Sequence, residues 1–379
     1  MCQPPAINLS LTLSVLAEAP DASAALVVPS APVSGHDDLQ RVRAFAAACD
    51  VVTFDHEHVP AHVLAALEAD GVPLHPRPEA LVYAQDKLAM RRRLGEIGVA
   101  CPRWAQVRTA GELAEFAAGG TPSWPVIVKT TRGGYDGKGV RVVTSADAIG
   151  ELADWFALVE DPQGPFRDGL LAEEFVPFDR ELAVLVARSP SGQAAAWPVV
   201  ETEQRDGVCA RVIAPAPGLS AGDCAQLTEI GLRIAGALGV TGVLAVEMFA
   251  VTAPGSGTTY LVNELAMRPH NSGHWSIDGS VTSQFEQHLR AVLDLPLGDP
   301  RPRAPWSVMV NVFGADHDEL YSAYRHVMAA DPGLKIHLYG KGVRSGRKIG
   351  HVTACGSDVD ALRERTAHAA DYLAGVIDE

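Results

Sequence analysis

A glycine-rich stretch at residues 129–139, with the sequence KTTRGGYDGKG, has the highest density of residues that could do chemistry. Its four glycines let the backbone turn tightly and bring N–H groups close to an anion. Lys129, Arg132 and Lys138 add cationic donors. This pattern favours a lid over phosphate groups, and a flexible hairpin with a solvated tip is the alternative. The stretch is not a P-loop, because glycine rather than Ser or Thr follows Gly137-Lys138.

Two apolar runs further along the chain each contain acidic residues. Glu247 lies within LAVEMFAV, and Asn263-Glu264 lies within YLVNELAM. A carboxylate inside an apolar strand is costly unless it is paired or bound to a metal. If the two strands pair antiparallel, two carboxylates and an amide form an oxygen site suited to Mg²⁺ that bridges phosphates. Edge-strand carboxylates that face water are the alternative.

Further polar clusters flank these strands. Residues 268–275 (RPHNSGHW) offer a cation, two imidazoles, an amide and a hydroxyl group. Residues 341–348 (KGVRSGRK) place four cations within eight positions of an acidic protein. Their position beside glycines favours an anionic-substrate site over a solvated charge run. Residues 173–176 (EEFV) and Glu181 add carboxylates on and after a strand, which alone is a weak signal.

The elements that would position these residues follow from hydrophobic periodicity. The first eighty residues alternate between helices at 37–48 and 60–68 and strands at 11–17, 25–29, 50–54 and 72–75, which predicts a doubly wound half-domain. A long helix is predicted over 78–97, followed by a strand hairpin over 125–130 and 139–144. Three β-rich runs follow between residues 170 and 200, and strands 243–251 and 259–267 read as an antiparallel pair. The chain is therefore α/β first and α+β afterwards.

Composition restricts the function classes. The chain has 379 residues with 31 Lys and Arg against 46 Asp and Glu, a net charge of −15, which repels a nucleic-acid backbone. Mean hydropathy is +0.07, and no apolar run approaches the ~18 residues that a membrane span needs. The six cysteines are scattered without a C-x-x-C pair, which indicates thiols in a reducing cytoplasm. We expect a cytoplasmic enzyme without nucleic-acid or membrane partners.

The motifs together resemble a known group of enzymes. A Lys-bearing strand, a Gly-rich lid, E-E-F-V and two late strands with Glu and Asn-Glu resemble the ATP-grasp superfamily. The strings RGGYDGKG, NELAMRPHNSGHW, VTSQFEQHLRAV and GRKIGHV resemble the 5-(carboxyamino)imidazole ribonucleotide synthase family of purine biosynthesis. The resemblance covers the chain from about residue 11 to the C-terminus. It implies a truncated doubly wound domain at 1–80, ATP-grasp halves at 81–190 (with the β-rich lid) and 191–300 (with the metal site), and a mixed domain at 301–379.

The resemblance also implies a reaction: carboxylation of 5-aminoimidazole ribonucleotide with ATP and bicarbonate, through carboxyphosphate. It implies a homodimer that uses Mg²⁺, with Mn²⁺ as a possible substitute. Another ATP-grasp carboxylase or ligase, such as a formate-dependent glycinamide ribonucleotide transformylase or biotin carboxylase, is one alternative. A non-catalytic ATP-binding remnant is the other.

Site residues follow from the same resemblance. Glu247 and Glu264 are expected to bind the metal, and Asp136, Arg268 and Lys348 to be catalytic. Lys87 and Lys129 are expected at the ATP phosphates, residues 173–176 at the adenine edge and Glu181 at the ribose. The nucleotide set is Lys87, Lys129, Gly134, Tyr135, Asp136, Gly137, Lys138, Gly139, Val140, Glu173, Glu174, Phe175, Val176, Glu181, Gln204, Asn263 and Glu264. The ribonucleotide set is Glu57, Tyr135, Arg268, His270, Asn271, Ser272, Lys341, Arg344, Arg347 and Lys348.

The chain departs from the family pattern at three places. Residues 55–58 read Asp-His-Glu-His where the family usually has Glu-Phe-Glu-Asn, and Gln204 stands where many members have histidine. The opening strand and G-G-G-Q-L loop of the family are not found, and Gly35 is the first glycine. We therefore expect Met1 to be an internal start and the native chain to be longer. A mass of 40.1 kDa for protein from the native source would contradict this expectation.

Overall fold

The computed structural model describes residues 1–134, 139–161, 163–164, 166–253, 255, 257–314 and 320–377. The strands described in it form sheets of two, four and nine strands. Helices cover these sheets, so the expected mixture of α/β and α+β structure is confirmed. No helix in this part of the chain combines the length and the apolar character needed to cross a membrane.

The N-terminal region contains the βαβ unit that the sequence predicts. Strands β1 and β2 pair in parallel, and helix α3 connects them. The strands predicted at 11–17 and 25–29 are wrong, because Ser14 and Ala17 form only isolated bridges, to Ser30 and Val33, and residues 25–29 form no bridge. Several prolines interrupt this region, and proline has no N–H for a continuous ladder. The elements are α1 (Gln3–Asn8), α2 (Leu39–Ala46), β1 (Val52–Thr53), α3 (Ala61–Ala69) and β2 (Leu74–His75).

The long helix predicted over 78–97 is two helices, α4 (Pro78–Gln85) and α5 (Lys87–Glu96). Asp86 separates them, because its backbone is extended and its carboxylate accepts a hydrogen bond from the Ala89 N–H. Aspartate is a favoured N-cap for this reason. The break also lets the Lys87 N–H donate to the Thr131 carbonyl at 2.9 Å. The start of α5 is thereby fixed against the glycine-rich stretch.

The four-stranded sheet is antiparallel throughout, in the order β3-β6-β4-β5. Its β4–β5 pair is the hairpin that the sequence predicts. A buried apolar cluster that includes Leu113, Val126 and Trp155 joins the sheet to its helices. The elements are β3 (Trp104–Val107), α6 (Ala110–Ala118), β4 (Val126–Thr130), β5 (Val140–Val143), a 3₁₀ helix (Asp147–Leu152), α7 (Ala153–Glu160) and β6 (Leu170–Glu174).

The nine-stranded sheet has the order β12-β11-β7-β9-β10-β13-β15-β14, and β8 pairs with β7. Its strands come from three of the four predicted segments, namely 81–190, 191–300 and 301–379. This sheet therefore extends across the predicted segment boundaries. The strands are β7 (Arg180–Arg188), β8 (Ala194–Ala196), β9 (Val200–Arg205), β10 (Val208–Ala214), β11 (Gly242–Ala253), β12 (Gly257–Ala266), β13 (Trp306–Phe313), β14 (Lys335–Leu338) and β15 (Lys348–Gly356). The helices are α8 (Ala221–Ala237), α9 (Ser276–Gly279), α10 (Gln284–Val292), α11 (Tyr321–Ala330) and α12 (Val359–Leu373), with a 3₁₀ turn at Asn271–Gly273.

Three apolar clusters hold this large sheet in place. One joins β7, β11 and β12 to α8 and to the N-terminal helices. A second fills the other side around Trp197 and Trp275. The third packs α11 and α12 against β13 and β15. The predicted antiparallel pairing of β11 with β12 is confirmed, and it places Glu247 directly across from Glu264.

Candidate active site

A buried ion-pair network joins the four-stranded sheet to the edge strand β12. Lys129, on β4, donates to Glu173 Oε2 at 2.7 Å and to Asn263 Oδ1 at 3.0 Å. The Arg91 guanidinium, on α5, contacts Glu173 Oε1 at 2.5 Å and donates to the backbone carbonyls of Val262 and Asn263. Both oxygens of Glu173 are thus used, and the Lys129 ammonium is held in a fixed position.

The charges of this network balance each other. Burial alone would raise the pKa of Glu173, but the positive charges of Arg91 and Lys129 outweigh it and lower the pKa. Burial alone would lower the pKa of Arg91, but the negative charge of Glu173 outweighs it, so the pKa of Arg91 is raised. The carboxylate of Glu173 is therefore committed to this network, and its expected contact with adenine stays a prediction.

Lys87 is the second lysine expected at the phosphates. Its ammonium lies 3.3 Å from the Gly133 carbonyl and 4.0 Å from Glu264 Oε1. It therefore connects the glycine-rich stretch to one of the two expected metal ligands.

The two described ends of the glycine-rich lid form tight turns, as the glycines predict. Gly134 and Gly139 both have positive φ, and the Gly139 carbonyl accepts a hydrogen bond from the Thr130 N–H. A Cβ at Gly139 would lie 2.6 Å from the Thr130 hydroxyl, so a larger residue would displace the turn. Val140 begins β5 and is exposed. The remaining lid residues of the nucleotide set lie outside the described residues: Tyr135, Asp136, Gly137 and Lys138.

The stretch expected at the adenine edge follows β6. Glu174 accepts a hydrogen bond from the Arg103 N–H at 3.2 Å, and its carboxylate also lies 3.4 Å from the Arg103 guanidinium. Phe175 is exposed, whereas Val176 is buried. The Phe175 ring and the partly exposed Glu174 side chain are thus the parts of this stretch that solvent reaches.

Glu181 and Gln204 lie on neighbouring parts of the nine-stranded sheet, on β7 and β9. Burial raises the pKa of Glu181, and a hydrogen bond with Gln204 offsets part of that effect. Gln204 thus contacts the residue that the sequence assigns to the ribose, although it cannot carry the charge that a histidine could.

Glu247 and Glu264 form the candidate metal site. Burial and the negative charges of Glu264 and Glu181 together raise the pKa of Glu247 to about 8, against the opposing charges of Lys348 and Lys129. The Glu247 side chain is 26% exposed and that of Glu264 is 50% exposed, so a ligand can reach both. Two facing carboxylates that repel each other when both are ionised fit a hard divalent cation such as Mg²⁺.

The segment after β12 extends from the metal pair toward the expected substrate. His270 Nε2 lies 3.5 Å from Glu247 Oε1, and its Nδ1 lies 2.8 Å from the Ser272 hydroxyl. Burial lowers the pKa of His270 well below the usual value, and the charges of Arg268 and Lys348 lower it further. The imidazole is therefore neutral at neutral pH and can exchange hydrogen bonds without adding charge.

Arg268 crosses to the N-terminal region. Its Nε donates to Glu57 Oε2 at 2.9 Å, although 211 positions separate the two residues in sequence. The other oxygen, Glu57 Oε1, is buried and has no hydrogen-bond partner within the described structure. An unsatisfied buried oxygen is costly, and Oε1 has capacity to accept a further hydrogen bond.

The loop of residues 270–274 is held by amide side chains that the sequence analysis missed. Asn271 and Asn311 contact each other through their side-chain amides, with Nδ2–Oδ1 distances of 2.7 and 3.1 Å. Gln284 accepts from the His270 N–H and donates to the His270 carbonyl. Asn311 lies within an apolar strand and carries no chemical signal in the sequence, and Gln284 belongs to the family string VTSQFEQHLRAV but has no expected role. Their role is to position the loop.

The basic stretch at residues 341–348 has two parts. Lys341, Arg344 and Arg347 are exposed, and Arg347 donates to the Gly342 carbonyl at 3.2 Å. Lys348 begins β15, and its charge lowers the pKa values of His270 and His274 as well as that of Glu247. Lys348 is therefore the member of the stretch that contributes directly to the electrostatics of the metal pair.

Family models match the chain in three stretches. A ribonucleotide synthetase pre-ATP-grasp domain matches residues 1–85, an ATP-grasp domain matches residues 92–285, and a phosphoribosylaminoimidazole carboxylase C-terminal domain matches residues 307–365. A curated relative from Mycobacterium tuberculosis, N5-carboxyaminoimidazole ribonucleotide synthase, is 50% identical over 374 residues, which cover 97% of this chain and 83% of the relative.

Solved structures agree with these matches. N5-carboxyaminoimidazole ribonucleotide synthetase from Thermus thermophilus superposes with a TM-score of 0.84 at 35% identity, over 100% of this chain and 96% of that chain. The Aspergillus clavatus synthase in complex with ADP and 5-aminoimidazole ribonucleotide gives a TM-score of 0.85 at 29% identity, over 98% of this chain and 95% of that chain. The expected ATP-grasp fold is therefore confirmed.

Proposed function

The chain belongs to the N5-carboxyaminoimidazole ribonucleotide synthase family of ATP-grasp ligases, and we propose that it carboxylates 5-aminoimidazole ribonucleotide at the expense of ATP. The reaction is a step of purine biosynthesis. One observation in the structure supports it most directly. Lys87 Nζ lies 4.0 Å from Glu264 Oε1, Glu264 is paired with Glu247 across β11 and β12, and Glu247 Oε1 lies 3.5 Å from His270 Nε2. Nucleotide and ribonucleotide would therefore meet at the carboxylate pair.

The nucleotide side holds ATP through fixed cations. Lys129 is anchored by Glu173 and Asn263, and Lys87 lies beside the lid, so both ammonium groups can contact phosphate oxygens without reorganising. Glu181 and Gln204 would orient the ribose. Mg²⁺ bound by Glu247 and Glu264 would neutralise phosphate charge and polarise the transferring γ-phosphoryl group. Mn²⁺ suits the same oxygen ligands.

Bicarbonate is the proposed first acceptor. Its oxygen attacks the γ-phosphorus, the bond to the β-phosphate oxygen breaks, and ADP leaves with carboxyphosphate formed. The amine of the ribonucleotide then forms a bond to the carboxyphosphate carbon, the bond from this carbon to the bridging oxygen breaks, and inorganic phosphate leaves with that oxygen and takes up the proton lost by the amine. Carboxyphosphate is exposed to hydrolysis, so closure of the glycine-rich lid has to exclude water.

The ribonucleotide side supplies neutral and cationic groups. Glu57 Oε1 can accept a hydrogen bond from the amine or a ribose hydroxyl, and Arg268 keeps Glu57 in place. His270 and Lys348 lie next to the metal pair and can orient the carboxyphosphate end. The phosphate of the ribonucleotide fits the basic group Lys341, Arg344, Arg347 and Lys348, with Asn271 and Ser272 at its edge.

An isotope experiment tests this reaction. With ¹⁸O-labelled bicarbonate, one labelled oxygen should appear in the inorganic phosphate for each turnover, because the bridging oxygen leaves with phosphorus. ADP release should require 5-aminoimidazole ribonucleotide and bicarbonate, and it should not require formate or biotin. Unlabelled phosphate, or turnover with formate in place of bicarbonate, would refute the proposal.

Two further expectations accompany this function. ATP and the aminoimidazole ribonucleotide are cytoplasmic metabolites, so we place the reaction in the cytoplasm. We also propose a homodimer, as the family resemblance implies. Light scattering on the purified protein should then give twice the chain mass of 40.1 kDa, and the single-chain mass would contradict a dimer.

A further inference from the structure

Three side chains of the N-terminal region, Glu18, His36 and His56, form a cluster separate from the Glu247–Glu264 pair. Each of the three offers one nitrogen or oxygen atom, and these atoms lie within 4.8 Å of one another. The rings of His36 and His56 meet edge to face, with their centroids 4.8 Å apart. Two imidazoles and one carboxylate are the donor set of many zinc sites.

The spacing between Glu18 and His36 is unusual for a direct contact. His36 Nδ1 lies 3.6 Å from Glu18 Oε1, which is too long for a hydrogen bond. The same nitrogen is buried and has no hydrogen-bond partner within the described structure. Two ligands at 2.0–2.1 Å from a tetrahedral metal ion are separated by about 3.3–3.4 Å. The observed gap is therefore close to the one that an ion would fill.

Backbone hydrogen bonds hold the two chain segments that carry these residues. The Ala17 N–H donates to the Pro32 carbonyl, and the Ser34 N–H donates to the Ala17 carbonyl, both at 2.9 Å. Glu18 follows Ala17 by one position, and His36 follows Ser34 by two positions. Their side chains are 72% and 34% exposed, so Glu18 can swing inward at little cost. The ligands are thus brought together before any ion binds.

The third residue, His56, lies in the turn after β1 that also carries Glu57. Gln85 Nε2 donates to the carbonyls of Glu57 and Val59, which fixes the end of this turn. The His58 N–H donates to His56 Nδ1 at 3.1 Å. A neutral imidazole that accepts at Nδ1 has its proton on Nε2. Neither ring nitrogen can then bind a metal ion while this hydrogen bond persists.

We propose that Glu18, His36 and His56 bind one borderline divalent transition-metal ion, with Zn²⁺ as the best fit, and that binding breaks the hydrogen bond from the His58 N–H to His56. Imidazole nitrogen favours zinc, cobalt and nickel ions over Mg²⁺. Three protein ligands leave one tetrahedral position for water. Because Glu57 lies between His56 and His58, the ion would shift the turn that contacts Arg268.

Calorimetric titration of the full chain with CoCl₂, in excess Mg²⁺, tests the site without any assay of turnover. Wild-type protein should bind one Co²⁺ with a visible d–d spectrum and without thiolate charge-transfer bands. Glu18→Gln, His36→Gln and His56→Gln should each weaken binding by at least about tenfold. His62→Gln, an exposed histidine outside the cluster, and Glu264→Gln should keep the wild-type affinity.

The proposal is overturned by absence of stoichiometric binding, by a cobalt–thiolate spectrum, or by wild-type affinity in any of the three cluster variants. A crystal soaked with ZnCl₂ gives an independent readout that does not depend on how well a variant folds. An anomalous peak between the three side chains, with His56 turned away from the His58 N–H, is the expected result. A peak only at Glu247 and Glu264, or no peak, would contradict it.

Discussion

Glu173 and Glu247 are carboxylates of the candidate active site, one buried and one partly exposed, and they lie on different sheets in opposite electrostatic surroundings. Glu173 contacts Arg91 and Lys129, and these cations lower its pKa despite burial. Glu247 faces Glu264, with Glu181 nearby, so burial and like charges both raise its pKa to about 8. The first carboxylate is satisfied by the protein itself, whereas the second is not.

The two carboxylates therefore have different functions within one site. The network of Arg91, Lys129, Glu173 and Asn263 stabilises the fold and fixes the ammonium group that we propose binds phosphate. The Glu247–Glu264 pair leaves negative charge for a ligand to neutralise. Variants of the two regions should therefore differ in whether stability or turnover is lost.

The largest effect is expected from Glu173→Gln. This change leaves the Arg91 guanidinium buried without a counter-charge, and breaking a buried ion pair in this way costs about 3–5 kcal/mol. Urea unfolding at pH 7 measures the loss. Glu174→Gln is the matched control, because its pair with Arg103 is solvent-exposed and contributes about 1 kcal/mol or less. Equal free energies of unfolding for the two variants would contradict a structural role of the Glu173 ion pair.

Glu264→Gln should have the opposite profile. Loss of one metal-binding carboxylate should lower kcat/KM by about 10²–10³, equivalent to ~2.7–4 kcal/mol of transition-state stabilisation. The side chain is half exposed, so the free energy of unfolding should stay within about 0.5 kcal/mol of wild type. Steady-state kinetics and urea unfolding on the same preparation give both numbers. The surface variant Glu229→Gln controls for a change in net charge, and wild-type turnover of Glu264→Gln would contradict the metal assignment.

Glu247→Gln should reveal the raised pKa through the pH dependence of stability. Because the folded pKa lies above the ordinary carboxyl value of 4.5, ionisation of Glu247 destabilises the metal-free protein as pH rises from about 5 toward 8. The variant cannot ionise at this position. Its free energy of unfolding, relative to that of wild type, should therefore increase by about 1–3 kcal/mol between pH 5.5 and pH 8.5. Urea unfolding in EDTA at both pH values measures this gain. An equal difference from wild type at both pH values would contradict the raised pKa.

The smallest expected effect concerns Gln204. Gln204→Leu removes the hydrogen bond to Glu181, which is worth about 0.5–1.5 kcal/mol. The KM for ATP should rise about two- to tenfold with kcat unchanged, because Glu181 is placed at the ribose and not at the reacting phosphate. Gln204→His should restore the KM, since a histidine can make the same contact. A fall in kcat without a change in KM would indicate that Gln204 acts on the reaction step and not on ATP binding, and it would contradict this role.

Much of the fold could be predicted from local patterns. Alternating apolar residues predicted the β11–β12 pair and the β4–β5 hairpin, because a strand period of two is visible in a short window. The same reasoning failed at 11–17 and 25–29, where apolar composition suggested strands but prolines leave at most isolated bridges. It also joined α4 to α5, because a helix-capping aspartate at position 86 cannot be told from an ordinary helical residue by periodicity alone.

The amino-acid sequence by itself determined which residues could do chemistry and which family they resemble, because motifs are runs of neighbouring residues. A faint signal for Arg91 was also present, since it lies three positions from both Leu88 and Leu94 on the buried face of α5. Only the tertiary structure decided that Glu173 is neutralised and Glu247 is not. The pKa of a carboxylate depends on burial and on charges that lie far away in sequence, and only folding brings those charges together.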